Sequence, residues 1–106
     1  MTLSEQEFRV KSDQALEAAR QALLPMADAE GFEIELQNGV LNLVFEEPSE
    51  SKFVVSPNAP VRQIWVSAMS RSFKLPWSAE AGAFALNGEP LPRLLERLAG
   101  EFMAKP

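Results

Sequence analysis

Two alternating apolar runs joined by Asn38-Gly39 constrain this chain most. Phe32, Ile34 and Leu36 alternate with Glu33 and Glu35, and beyond the dipeptide Leu41, Leu43 and Phe45 resume the alternation. A period of two describes strands with one buried and one wet face. Asn-Gly suits a two-residue hairpin turn with positive φ at both central residues. An antiparallel hairpin is therefore expected here, and the rest of the chain must cover its apolar side.

The flanking segments supply that cover. Ser4 with Glu7 three residues later has the form of a capping box, and Thr2 with Glu5 offers the same signal two residues earlier. Phe8, Ala15, Leu16, Ala19, Ala22 and Leu23 then recur at helical spacing, with Asp13, Glu17, Arg20 and Gln21 on the opposite side. This helix is expected to stop near Pro25, because proline disfavours helical geometry in the residue before it. At the other end Pro90 fits a first helical turn, and Leu91, Leu94, Leu95, Leu98 and Phe102 form the apolar stripe of a closing helix.

Between the hairpin and the closing helix lie further strands. Residues 46–50 read as a polar loop, residues 52–56 as a third strand, and Pro57-Asn58-Ala59-Pro60 as a turn. Residues 61–67 make a fourth strand in which Ile64 and Val66 point one way and Gln63, Trp65 and Ser67 the other. Phe73 with Leu75 suggests a fifth strand, and Phe84 with Leu86 a short sixth before the Asn87-Gly88 turn. Consecutive strands on short turns imply an antiparallel sheet, and two striped helices pack most economically together on one of its faces. The expected class is α+β: an α-β sandwich of an N- and a C-terminal helix on a sheet of about five to six strands. With 106 residues and 46% apolar content, residues 1–106 are read as one domain.

Composition removes whole classes of function. No cysteine and no histidine is present, which excludes disulfides, thiolate chemistry, Cys/His zinc sites and imidazole acid-base catalysis. Residues 1–50 carry eleven acids against three bases, while residues 51–106 carry four acids against seven bases, for a net charge of −5. An acidic surface repels nucleic acid and anionic lipid and attracts basic protein surfaces and hard cations, so neither nucleic acid nor membrane is an expected partner. Polar Thr2, Ser4, Glu5 and Gln6 and the short apolar runs carry no targeting or spanning signal, hence the expectation of a cytoplasmic protein if the source is bacterial.

Few residues offer chemistry. A serine nucleophile lacking histidine needs a lysine or carboxylate base, and Lys52, Arg62, Arg71 and Lys74 stand in no nucleophile motif. Glu33/Glu35 fall on a strand's wet face and Glu46/Glu47 in a loop, neither a spacing for a desolvated acid-base dyad. Exposed carboxylates such as Asp28, Glu30, Glu33 and Glu35 suit hard cations but lack fixed geometry; a solvated charged face is the plainer reading of them. Trp65 stands apart: an indole between Gln63 and Ser67 on the wet side of a sheet is an interface anchor, unless a loop or the Trp77 region roofs it.

Asn38-Gly39-Val40-Leu41 before an alternating strand, Pro60-Val61-Arg62-Gln63-Ile64-Trp65-Val66-Ser67, and Asn87-Gly88-Glu89 leading into residues 91–98 together resemble the frataxin family, in its short bacterial form. The resemblance spans nearly the whole chain in the same element order. It implies two helices packed on an antiparallel sheet and a role in iron-sulfur cluster assembly. It further implies weak iron binding along an acidic ridge and contact with a cysteine desulfurase and scaffold complex. Carried over by position, Asp28, Glu30, Glu33 and Glu35 represent the ridge. Gln63 and Trp65, with Ser67 and Asn42, represent the sheet-face contact. The family is dense in carboxylates where this chain reads Leu24-Pro25-Met26-Ala27-Asp28-Ala29-Glu30-Gly31; Asp13 and Glu17, a helical turn apart, are the candidates to compensate.

The leading expectation is a non-enzymatic, monomeric modulator of cluster assembly, with iron binding subordinate to partner binding. A secretion-type chaperone, also small, acidic and α+β, is the competing class; such proteins usually dimerise, and this class predicts an apolar dimer surface. A generic interaction domain without iron binding is a further alternative, and an iron-oxidising enzyme would require a defined metal centre that the sparse carboxylates do not supply.

Overall fold

A computed structural model describes residues 3–104. Helix α1 spans Glu5–Glu30 and opens on the expected capping box. The Ser4 hydroxyl accepts from the Glu7 amide at 3.1 Å and the Glu7 carboxylate accepts from the Ser4 amide at 2.9 Å, satisfying two otherwise orphaned donors. The second signal, Thr2 with Glu5, involves a residue outside the described ones. The expected stop at Pro25 is overturned: the helix runs on to Gly31, whose φ of 85° closes it with an N–H···O bond to Ala27 at 2.8 Å. Both Pro25 and Gln21, whose carbonyl loses its donor, are exposed, so water can replace the missing bond. Meanwhile Leu23 and Ala27 bury on either side of the proline and hold the helix to the core. Ala22, assigned to the apolar face, is exposed, and Ser12 is buried in the stripe with its hydroxyl donating to the Arg9 carbonyl at 3.1 Å.

The strands form an antiparallel meander in chain order. They are β1 (Glu33–Gln37), β2 (Val40–Phe45), β3 (Ser51–Asn58), β4 (Gln63–Ala68), β5 (Arg71–Ser78), β6 (Ala83–Leu86) and β7 (Glu89–Pro90). The sheet has seven strands where five to six were expected, because the Asn87-Gly88 turn is itself a hairpin pairing Leu86 with Glu89 and Ala85 with Pro90. Pro90 is thus the last strand residue and N-cap of α2 (Leu91–Met103), and Pro92 occupies the helix's first turn. The segment read as a turn at residues 57–60 also differs. β3 continues to Asn58, a 3-10 turn covers Ala59–Val61, and Arg62 in the left-handed region (φ 54°) redirects the chain into β4.

Both helices lie against one sheet face, where Leu41, Leu43, Phe45, Phe53, Val55, Ile64, Val66 and Leu75 meet Leu16, Leu23, Leu94, Leu95 and Leu98 in one cluster. Phe45 is its aromatic hub, with ring centroids 4.7 Å from Phe32 and Phe102 and 4.8 Å from Phe53. The polar seam is exposed: Arg97 binds Glu89 through two bonds and Glu101 through a third, and Arg71 binds Glu101 at 3.1 Å. The packing of both helices on one side leaves the far face of β1 to β5 without a covering element among the described residues.

Candidate partner interface

Directly paired residues of an antiparallel sheet point to the same face, so the registers assemble the open face row by row. Glu35 pairs with Asn42, Asn42 with Val54, Val54 with Ser67, and Ser67 with Ser72. The next row sets Ser56 against Trp65 and Trp65 against Lys74, and Asn58, Gln63 and Pro76 form the row beyond. Gln63, Trp65, Ser67 and Asn42 are therefore gathered on one surface, with Ile64, Val66 and Ala68 turned into the core between them.

Trp65 is 36% exposed, and among the described residues neither a loop nor Trp77 roofs it. Trp77 packs edge-on against Phe84 at 5.2 Å, beside Lys11 of α1. The indole of Trp65 is held in place instead of free: its N–H donates to Gln63 Oε1 at 2.9 Å and the Lys74 ammonium lies 4.8 Å from the ring centroid. Such bracing lowers the entropy lost when a partner covers the ring. Half-buried Val54 lies diagonal to it on β3, and half-buried Val40 and Val44 continue the apolar ground on β2 of the same face. Lys74 and these valines escaped sequence reading, although Lys74's place between Phe73 and Leu75 carries the signal: alternation turns it outward.

The acidic residues are arranged differently. Glu33 and Glu35 share the open face but sit on its edge strand, three strands or roughly 15 Å from Trp65. Asp28 and Glu30 lie exposed in the last turn of α1, whose C-terminal dipole already disfavours negative charge. Asp13 is exposed on α1, and Glu17 is taken up by Arg20 at 2.8 Å and Gln21 at 3.3 Å, the Arg20 bond holding its carboxyl below the ordinary range. Among the described residues no three carboxylates stand close enough to hold a metal ion, so the six candidates do not form a preorganised centre. Likewise, no helix among them is long and apolar enough to cross a membrane.

Fold and face together define a class, the α-β sandwich of two helices on one side of an antiparallel meander whose other side is bare. The chain belongs to the frataxin-like family, whose domain model matches residues 1–105. A Pseudomonas putida protein named iron-sulfur cluster assembly protein CyaY is 31% identical over 109 residues, covering 95% of this chain and 94% of that protein. Proteins of the same name from Pseudomonas fluorescens and Pseudomonas aeruginosa are 30% and 34% identical. The first alignment covers 96% of this chain and 91% of the relative, the second 77% and 78%.

Proposed function

We propose that this chain is a non-catalytic component of iron-sulfur cluster assembly that docks onto a cysteine desulfurase and scaffold complex through the open sheet face. Its family and the name its relatives carry support the process. The observation that carries the docking surface is the outward, braced indole of Trp65 in register with Ser56 and Lys74. Tryptophan is the residue most enriched among interface anchors. Glu33 and Glu35 at the rim steer a basic partner surface and set its orientation. Iron enters only as a loosely held ion, since scattered exposed carboxylates bind hard cations weakly and with poor selectivity.

The test is co-purification of the tagged chain with the desulfurase and scaffold proteins from a bacterial extract, together with light scattering of the free protein. Recovery of that complex with a monomeric free chain supports the reading. A stable dimer that recovers unfolded clients instead would replace it with a chaperone role. Titration with Fe²⁺ should move amide signals of residues 28–35 only at millimolar metal, and no movement there removes iron from the account.

A further inference from the structure

β1 forms one edge of the sheet, is five residues long, and among the described residues bonds only β2. The register fixes which backbone groups it leaves over. Gln37 and Val40 flank the two-residue Asn38-Gly39 turn as a hydrogen-bonded pair, and such pairs alternate along an antiparallel ladder. Gln37, Glu35 and Glu33 therefore spend their backbone groups on β2, while the N–H and C=O of Ile34 and Leu36 point outward. No turn, cap or loop bond among the described residues takes up either residue.

Proteins blunt such an edge with short strands, proline or charge. The opposite rim shows the first two: β7 is two residues ending in Pro90, and the stretch of β5 that β6 leaves unpaired carries Pro76. β1 has neither and relies on Glu33 and Glu35, which are exposed and form no ion pair among the described residues. Two copies of this edge paired about a two-fold axis would set acid against acid, so a second copy is a poor occupant. The same carboxylates favour a strand that carries cations. Residues opposite Glu33 and Glu35 would share their face, and the residues between them would lie beside Ile34 and Leu36, both half-buried against the core.

We propose that the β1 edge takes an extended segment of a partner protein as an added antiparallel strand, with basic and apolar residues in alternation. Its cations face Glu33 and Glu35, its apolar residues lie beside Ile34 and Leu36, and its main chain bonds the outward N–H and C=O groups of the latter pair. This deepens the docking reading, in which Glu33 and Glu35 meet a basic surface, by giving that surface a strand geometry.

The experiment titrates a capped hexapeptide of alternating lysine and valine into the whole chain, followed by amide NMR at about 0.15 M salt. Saturable shifts are expected at residues 33–37, with slowed hydrogen exchange of the Ile34 and Leu36 amides. A peptide of the same composition with its lysines grouped before its valines should bind several-fold more weakly. Methylating the backbone nitrogens of the valines removes donors aimed at β1 and should weaken binding about ten-fold or more. Methylating those of the lysines, which point away, should leave it unchanged. Glu35→Lys, a change on the exposed face, should weaken the alternating peptide several-fold. Shifts that never saturate, equal affinity of the alternating and grouped peptides, or equal affinity of the two methylated peptides would overturn strand addition and leave only general charge attraction. The assay contains no desulfurase, so its failure leaves the Trp65 surface standing, and a failure of docking to depend on Trp65 leaves the edge standing.

Discussion

Ser70→Gly should stabilise the protein and Gly88→Ser should destabilise it, because the two positions occupy the same place in equivalent turns with φ of 63° and 81°. A non-glycine residue in the left-handed region costs about 1–2 kcal/mol. Glycine gives back about 0.4–1 kcal/mol by loosening the unfolded chain. The net gain for Ser70→Gly is thus about 0.5–1 kcal/mol. At about 4–8 °C per kcal/mol for a chain of this size, Tm rises by roughly 2–8 °C. Gly88→Ser should lose a similar amount, and a clash does not confound it, since a Cβ built there meets nothing within 4 Å. Urea denaturation of both variants against wild type measures the pair. Shifts of the same sign, or a loss on Ser70→Gly, would refute the attribution of strain to the turn backbone.

Other perturbations probe the core, the long helix and the exposed ion-pair seam. Phe45→Ala should cost about 3–5 kcal/mol in urea unfolding, since the ring is fully buried among Phe32, Phe53 and Phe102. Pro25→Ala should stabilise by about 2 kcal/mol in the same assay, restoring a helix bond to the Gln21 carbonyl and removing the ring's crowding of it. Glu89 is held below its ordinary value of 4.5 chiefly by the Arg97 hydrogen bond, and Glu101 by Arg71 and then Arg97. A carboxylate depressed in the folded state contributes stability that is present above its unfolded pKa and lost as pH falls through the folded one. The stability difference between wild type and Arg97→Ala should therefore hold from pH 7 to about 4.5 and shrink below it.

Local rules read this fold where local and tertiary preferences agree. Asn38-Gly39, the alternation through Ile64, Trp65 and Val66, and the leucine stripe of α2 each carry one period and one turn chemistry, and the coordinates follow them. They fail at Pro25, where burial of Leu23 and Ala27 outweighs a local proline penalty that falls on the solvent side. They fail again at Met69-Ser70, a tight turn with no Gly or Asn to announce it, imposed by the pairing of Ala68 with Arg71. For the site, alternation sufficed to turn Trp65 outward. It could not show that Gln63 and Lys74 brace the ring, because those contacts depend on side-chain rotamers and cross-strand register. The spacing of the acidic residues was equally illegible, since proximity along residues 28–35 does not translate into convergence when a helix end and a strand's wet face point them apart.

The docking claim is tested most directly by the affinity of the purified chain for a purified desulfurase and scaffold complex, wild type against Trp65→Ala, with Val10→Ala on the exposed side of α1 as control. An anchor tryptophan contributes about 2 kcal/mol or more, a loss of roughly thirty-fold. The account predicts that loss for Trp65→Ala and wild-type binding for Val10→Ala; equal affinity for all three proteins would contradict it.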